Sequence, residues 1–242
     1  MMSRNTIAII LLGTLLLGGG TAAGGYLLGQ GIVMARVADR SVVVKGLVEK
    51  EVRADLATWS IRYTATGNAL EDIQTKMGAD GAALREFLTE EGFRPDEITT
   101  ARLEVTDLLA QTYRQPNLEK ARYIVAQTIQ VRSVDVARVD VTSRKIGDVV
   151  KRGIILSDNG GPSYFFTGLN LIKPDMIAAA TLNARRAAAR FAEVSGAEVG
   201  DIRHASQGVF QILPRDRGNQ TQRKVIDKIV RVVATVRYAL KR

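Results

Sequence analysis

The chain has 242 residues, 46% hydrophobic and 5% aromatic, with no cysteine. That length accommodates one sizeable domain or two small ones, and the lack of cysteine excludes a disulfide framework, a thiolate nucleophile and a thiolate-bound metal. Lys and Arg total 34 against 25 Asp and Glu, a net charge of +9, but the basic residues are scattered among acids. With no stacking aromatic motif or recognised module beside them, they describe a solvated surface and exclude nucleic acid as a partner.

The first element is apolar. No charged residue lies between Arg4 and Arg36, and Ile7 to Leu28 would span about 33 Å as a helix, enough for a bilayer's hydrocarbon core. Ile7 to Leu17 alone resembles the hydrophobic region of a signal peptide, and Thr21-Ala22-Ala23 offers small residues for cleavage. The length favours a retained anchor over residues 1–35. Gly20 and Gly24 are four apart, as are Gly25 and Gly29, so a helix here carries notches at which backbones approach closely in lipid. The flanking cations, Arg4 before and Arg36, Arg40 and Lys45 after, do not fix the orientation.

From Ser41 the pattern becomes that of an ordinary folded domain, taken as 36–242. "SVVVKGLVEKEVRADLATWSIRYTATG" predicts two strands, with Ala57, Trp59, Ile61, Tyr63 and Ala65 on one buried face. Trp59 is expected in the core. Asn68 is expected to cap a helix, with Glu71 three residues on and a stripe of Leu70, Ile73, Met77, Leu84, Phe87 and Leu88 that Gly92 ends. "RPDEITTARLEV" and "ARYIVAQTIQVR" read as the third and fourth strands around a hairpin loop, "QTYRQPNLEK". Asp135 opens a second helix, with Val136, Val139, Ile146 and Val149 inward and Gly153 just past its end. "YFFTGLNL" reads as a short strand, and Pro174 as the start of a third helix with Ile177, Thr181, Ala184, Ala188 and Phe191 facing inward and Gly196 at its end. "DIRHASQGVFQI" and "KVIDKIVRVVATVRYAL" complete a last strand pair around the loop "LPRDRGNQTQRK". This order predicts an α+β fold in which antiparallel sheets are packed by about three helices, behind one N-terminal transmembrane helix.

Taken together, "VVVKGLVEKEVRADLATWSIRYTATGNALEDI", "LREFLTEEGFRPDEITTARLEV", "YIVAQTIQVRSVDVARVDVTSRKIGDVVKRGI" and "LNARRAAARFAEVSGAEVGDI" resemble the SIMPL-domain family over about residues 42–240. The resemblance implies a periplasmic or surface-exposed domain, large ring-like homo-oligomers in some members, and a loose link to envelope stress, oxidative stress included; with the apolar leader, the expected location is the inner membrane, crossed once, with the C-terminal domain in the periplasm. It implies no catalytic residues.

The residues themselves point away from an enzyme. His204 is the sole histidine, and one imidazole without cysteine does not build the usual zinc site. Ser206, on the same predicted strand face, lacks an acid for a triad. Glu90 with Glu91 and Asp96 with Glu97 read as a helix end and a solvated turn, Gly160-Gly161 as turn chemistry, and no cofactor or metal site is expected. The densest basic segment, Arg215, Arg217, Arg223 and Lys224, is either a polar hairpin or a loop facing anionic lipid or an assembly opening. Two readings follow. One is a single-pass anchored homo-oligomer whose partners are its own copies and the bilayer; the other is a periplasmic peptide- or ligand-binding module with a cleaved leader.

Overall fold

The computed structural model describes residues 18–21, 24–30, 40–110, 121–158, 160–216 and 221–241. The chain builds β1 (Ser41–Arg53), β2 (Leu56–Gly67), α1 (Leu70–Glu90), a 3-10 turn at Pro95–Glu97, β3 (Ile98–Asp107) and β4 (Tyr123–Ser133). There follow α2 (Val136–Arg144), α3 (Gly147–Lys151), β5 (Ile155–Asp158), β6 (Ser163–Phe165), α4 (Leu169–Val194), β7 (Glu198–Gln207), β8 (Gln211–Pro214), a 3-10 turn at Gln222–Lys224 and β9 (Asp227–Lys241). Helix and antiparallel sheet are mixed as the sequence predicts.

These elements gather into two compact units. The larger takes Glu49–Met176 and Phe210–Val232. Its sheet runs β3-β4-β2-β5, with β6 also paired to β2. β2 and β4 pair antiparallel without a break from Ala57 opposite Ser133 to Gly67 opposite Tyr123. Because side chains alternate along β2, Trp59, Ile61 and Tyr63 all enter one core with Ile73, Leu84, Phe87 and Leu88 of α1, Val139 of α2 and Val149 of α3. Trp59 is fully buried there, its indole nitrogen without a hydrogen-bond partner, so it acts by packing.

The smaller unit takes the chain up to Val48, Ile177–Val209 and Val233–Arg242. β7 pairs antiparallel with β9 from Glu198 opposite Lys241 to Gln207 opposite Ala234, and the strand order β1-β9-β7 places β1 on the other side of β9. Val42, Ala184, Ala188, Val236 and Tyr238 form the core. At Gly46 the backbone of β1 lies directly against that of α4: an added Cβ would sit 2.5 Å from the Ala184 amide nitrogen and closer still to the Ala180 carbonyl oxygen.

Several expectations are corrected. Four α-helices, not three, occur among the described residues beyond the leader, because the second predicted helix breaks into α2 and α3 around Lys145 and Ile146. Asn68 does not cap α1; Ala69 occupies that position without a side-chain bond, and Asn68 Oδ1 accepts from the Arg122 amide at 2.9 Å. Leu70 is 39% exposed, and Asp80 and Gly81 join the buried face instead. Only Ser163–Phe165 of "YFFTGLNL" and its preceding serine is strand, since Leu169–Leu171 are already helical and Pro174 lies inside α4. The buried stripe of α4 is Met176, Ala180, Ala184, Ala188 and Ala192, leaving Phe191 57% exposed. The penultimate predicted strand is two, β7 and β8, both paired to β9. The hairpin loop over 111–120 lies outside the described residues.

Candidate functional site

Residues 18–21 and 24–30 of the leader are helical. A Cβ placed on Gly20, Gly24, Gly25 or Gly29 would meet nothing within 4 Å, and Tyr26, Leu27 and Leu28 are 67%, 68% and 71% exposed. The notches are therefore open to whatever surrounds them. Among the described residues no helix is long and apolar enough to cross a membrane; the greater part of the expected anchor, including residues 1–17, lies outside them.

The basic segment is built by the turn that precedes β9. Arg215 Nη1 lies 3.2 Å from Asp227 Oδ2 and its Nε 3.2 Å from Asp216 Oδ1, so two carboxylates face one guanidinium. Arg223 stands 5.8 Å over the Phe165 ring. Lys224 Nζ donates to the carbonyls of Gly160, Gly161 and Pro162, and so adds a side-chain anchor to a turn in which Gly161 adopts a φ of 67°. Arg217 lies outside the described residues. Beneath the segment, Lys228 is 1% exposed, with Nζ donating to Gln222 O at 2.5 Å and Val225 O at 2.8 Å. Burial pushes its pKa below the ordinary lysine value, because a dry site disfavours the charged form. The adjoining cavity, about 220 Å³, holds Tyr164, whose hydroxyl donates to Asp140 Oδ1 at 3.0 Å; burial, with Asp140 beside it, raises the phenol's pKa.

The carboxylates singled out in the sequence do not converge. Glu90 pairs with Arg152 at 2.8 Å and Glu91 with Lys145 at 2.7 Å, each tying the end of α1 to the segment around α3. Glu97 is not in a solvated turn: its side chain is 6% exposed. Burial alone would raise its pKa, yet the Arg94 amide, Ser133 and the guanidinium groups of Arg138 and Arg94 together hold it below the ordinary carboxylate value. His204 and Ser206 are exposed on β7, and no cluster of three metal-binding side chains occurs among the described residues.

A feature the sequence reading did not locate is the rim of the larger sheet. β3 is its edge strand. Register places Leu103 opposite Gln127 and Val105 opposite Val125, and those residues lie across β4 from Tyr63 and Ala65 of the core face. Leu103 and Val105 thus extend the apolar face outward, yet they remain 57% and 55% exposed. On the opposite face Glu104 takes Arg62 at 2.5 Å and Arg102 at 2.8 Å. The alternation in "ARLEV" carried this signal, but alternation alone does not tell an edge from an interior strand.

Compared with known families, residues 42–237 match the model described as "SIMPL: Protein of unknown function (DUF541)". No curated protein matches the chain.

Proposed function

Because the chain belongs to the SIMPL family, whose function is unknown, its role has to be argued from its own residues, and we propose a non-enzymatic, membrane-tethered periplasmic protein that joins side by side with its own copies into a ring. The observation that carries this reading is the β3 rim. An edge strand offers unpaired backbone groups to any strand that meets it, and natural proteins usually blunt such edges with charge. Here the core-side face of the edge carries Leu103 and Val105, both more than half exposed. Covering them would contribute roughly 1 kcal/mol each, about half the value of burying a whole aliphatic side chain. That is weak singly. A tether raises the effective concentration of neighbours enough for such contacts to act together, and a repeated contact between unlike patches closes into a ring when its rotation allows.

The leader fits the same reading, since Gly20, Gly24, Gly25 and Gly29 present open small-residue faces of the kind that pack in lipid. Arg215, Arg223 and Lys224 face anionic headgroups or the ring opening in this arrangement, with Arg215 largely neutralised by Asp216 and Asp227. Such a body would scaffold or shield envelope components, in keeping with the stress association that the family resemblance implies.

Intact mass and detergent-extracted particle size test the proposal. The full chain is expected to keep its leader and run as a large particle. Leu103→Glu with Val105→Glu is expected to yield small particles with an unchanged circular dichroism spectrum. A leaderless, water-soluble monomer would overturn the reading.

A further inference from the structure

Within the smaller unit, α4 and β7 enclose an open groove of about 440 Å³ over Tyr238. Ala178, Thr181, Leu182 and Arg185 form the helical wall, and Gly200, Asp201 and Ile202 the strand wall. The groove has a local cause. The pairing of β7 with β9 slips between Val199 and Ile202 and again between Ile202 and His204, and such irregularities bend a strand and re-aim its side chains.

Three polar groups around it have no partner. Arg185 and Asp201 are exposed on facing walls, and neither forms an ion pair or a side-chain hydrogen bond among the described residues. Tyr238 is 3% exposed, and its hydroxyl is buried with no hydrogen-bond partner, a state that folded proteins rarely leave unexplained. Between these groups Leu182 and Ile202 present apolar surface, 49% and 51% exposed. The volume is that of a small-molecule site.

We infer that this groove binds a short zwitterionic peptide with apolar side chains. The Arg185 fork takes the terminal carboxylate, a geometry that guanidinium matches with two parallel hydrogen bonds. Asp201 takes the terminal ammonium, while Leu182 and Ile202 cover the side chains. The volume favours two or three residues over a single amino acid. The site lies within one chain and does not rest on the ring assembly proposed above.

Titration calorimetry of the purified full chain with leucyl-leucine tests it. One saturable site per chain is expected. Arg185→Met and leucyl-leucine amide should each weaken binding tenfold or more, as should Asp201→Asn and N-acetyl-leucyl-leucine, since a hydrogen bond to a charged group is typically that strong. Tyr238→Phe should leave binding unchanged, because the hydroxyl it deletes is buried out of reach of the groove. Absence of saturable binding, or equal binding of the capped peptides, overturns the inference, and the capped peptides do so on the unaltered chain whether or not a variant folds. Particle size measured on the same samples reports the assembly separately.

Discussion

Replacing Gly46 with alanine tests the closest approach of two elements in the smaller unit. The new Cβ would lie 2.5 Å from the Ala184 nitrogen and nearer to the Ala180 carbonyl oxygen. Both are backbone atoms of α4, so no rotamer change relieves the clash. Bringing the Ala184 nitrogen out to an ordinary separation of about 3.5 Å requires the helix to retreat by about 1 Å, a gap that forfeits between a quarter and a half of the dispersion energy of each contact it opens. The contacts opened are those of Ala184 and Ala188 with Val42, Val236 and Tyr238. Overpacking of this kind costs about 1–3 kcal/mol, and a backbone clash belongs at the upper end. For a chain of this size, about 3 kcal/mol lowers the melting temperature by roughly 6–12 °C. Gly78→Ala supplies the opposite sign: Gly78 is an exposed residue inside α1 whose Cβ would touch nothing within 4 Å, and the change should stabilise by about 1 kcal/mol. Melting curves followed by circular dichroism check both, and a Gly46→Ala melt within 1–2 °C of the parent, on the scale of about 2–4 °C per kcal/mol, would refute the close packing of α4 on β1.

Asp55 anchors the chain that leads into α4, its carboxylate accepting the Thr167 amide at 2.8 Å and the Gly168 amide at 3.0 Å just before the first helical residue, Leu169; Asp55→Ala should cost about 1 kcal/mol in urea unfolding, the usual net value of a hydrogen bond, and no change would mean that the helix starts without it. Glu97, whose pKa is depressed in the fold, contributes stability that is present above the ordinary carboxylate pKa and is lost as pH falls through the folded value. Glu97→Gln should therefore be less stable than the parent at pH 7, with the two denaturation midpoints converging at acid pH; a gap independent of pH would contradict this. Lys228 has the reverse dependence on alkali, because its lowered pKa makes the charged form a penalty on folding that fades as pH rises toward about 10.4. Relative to Lys228→Met, the parent should gain stability between neutral pH and that value, and parallel curves would count against burial of a charged amine.

What the sequence revealed depended on how local each determinant is. β2 was legible because alternation and burial coincide along it. The helix stops were legible because Gly92, Gly153 and Gly196 adopt φ of 88°, 88° and 64°, a region in which a side chain is strained. Asp135 was legible as a cap, and its carboxylate accepts from the Arg138 amide at 3.0 Å. The start of α4 was not, since the carboxylate that holds the residues leading into it, Asp55, comes from between β1 and β2. The buried face of α4 was ambiguous for another reason: alanine occurs on every side of it, so hydrophobic periodicity names no face, and Gly46 decides by admitting Ala180 and Ala184. The break between β7 and β8 likewise depends on a distant group, Val233, whose carbonyl accepts the Gly208 amide at 2.8 Å and stands 2.9 Å from where a Cβ would be. Glu97 was misread because its partner Arg138 is supplied by α2.

The same distinction bears on where function resides. In the larger unit the charges that attracted attention in the sequence are engaged by structural neighbours: Glu90 by Arg152, Glu91 by Lys145, Glu97 by Arg94 and Arg138, Arg215 by Asp216 and Asp227. Charges so engaged hold elements in register and are poor candidates for chemistry, because removing them from their partners leaves the partners unpaired. The smaller unit differs. Arg185 and Asp201 line one groove without pairing with each other, and neither was conspicuous in the sequence, where Arg185 is one of several arginines on an alanine-rich helix and Asp201 one acid in a polar strand. Structure separates them from their neighbours by what they lack. If that contrast marks function, substitutions at Arg185 and Asp201 will leave stability nearly unchanged, as exposed side chains free of packing should, while those at Glu97 and Asp55 will alter stability and leave peptide binding intact.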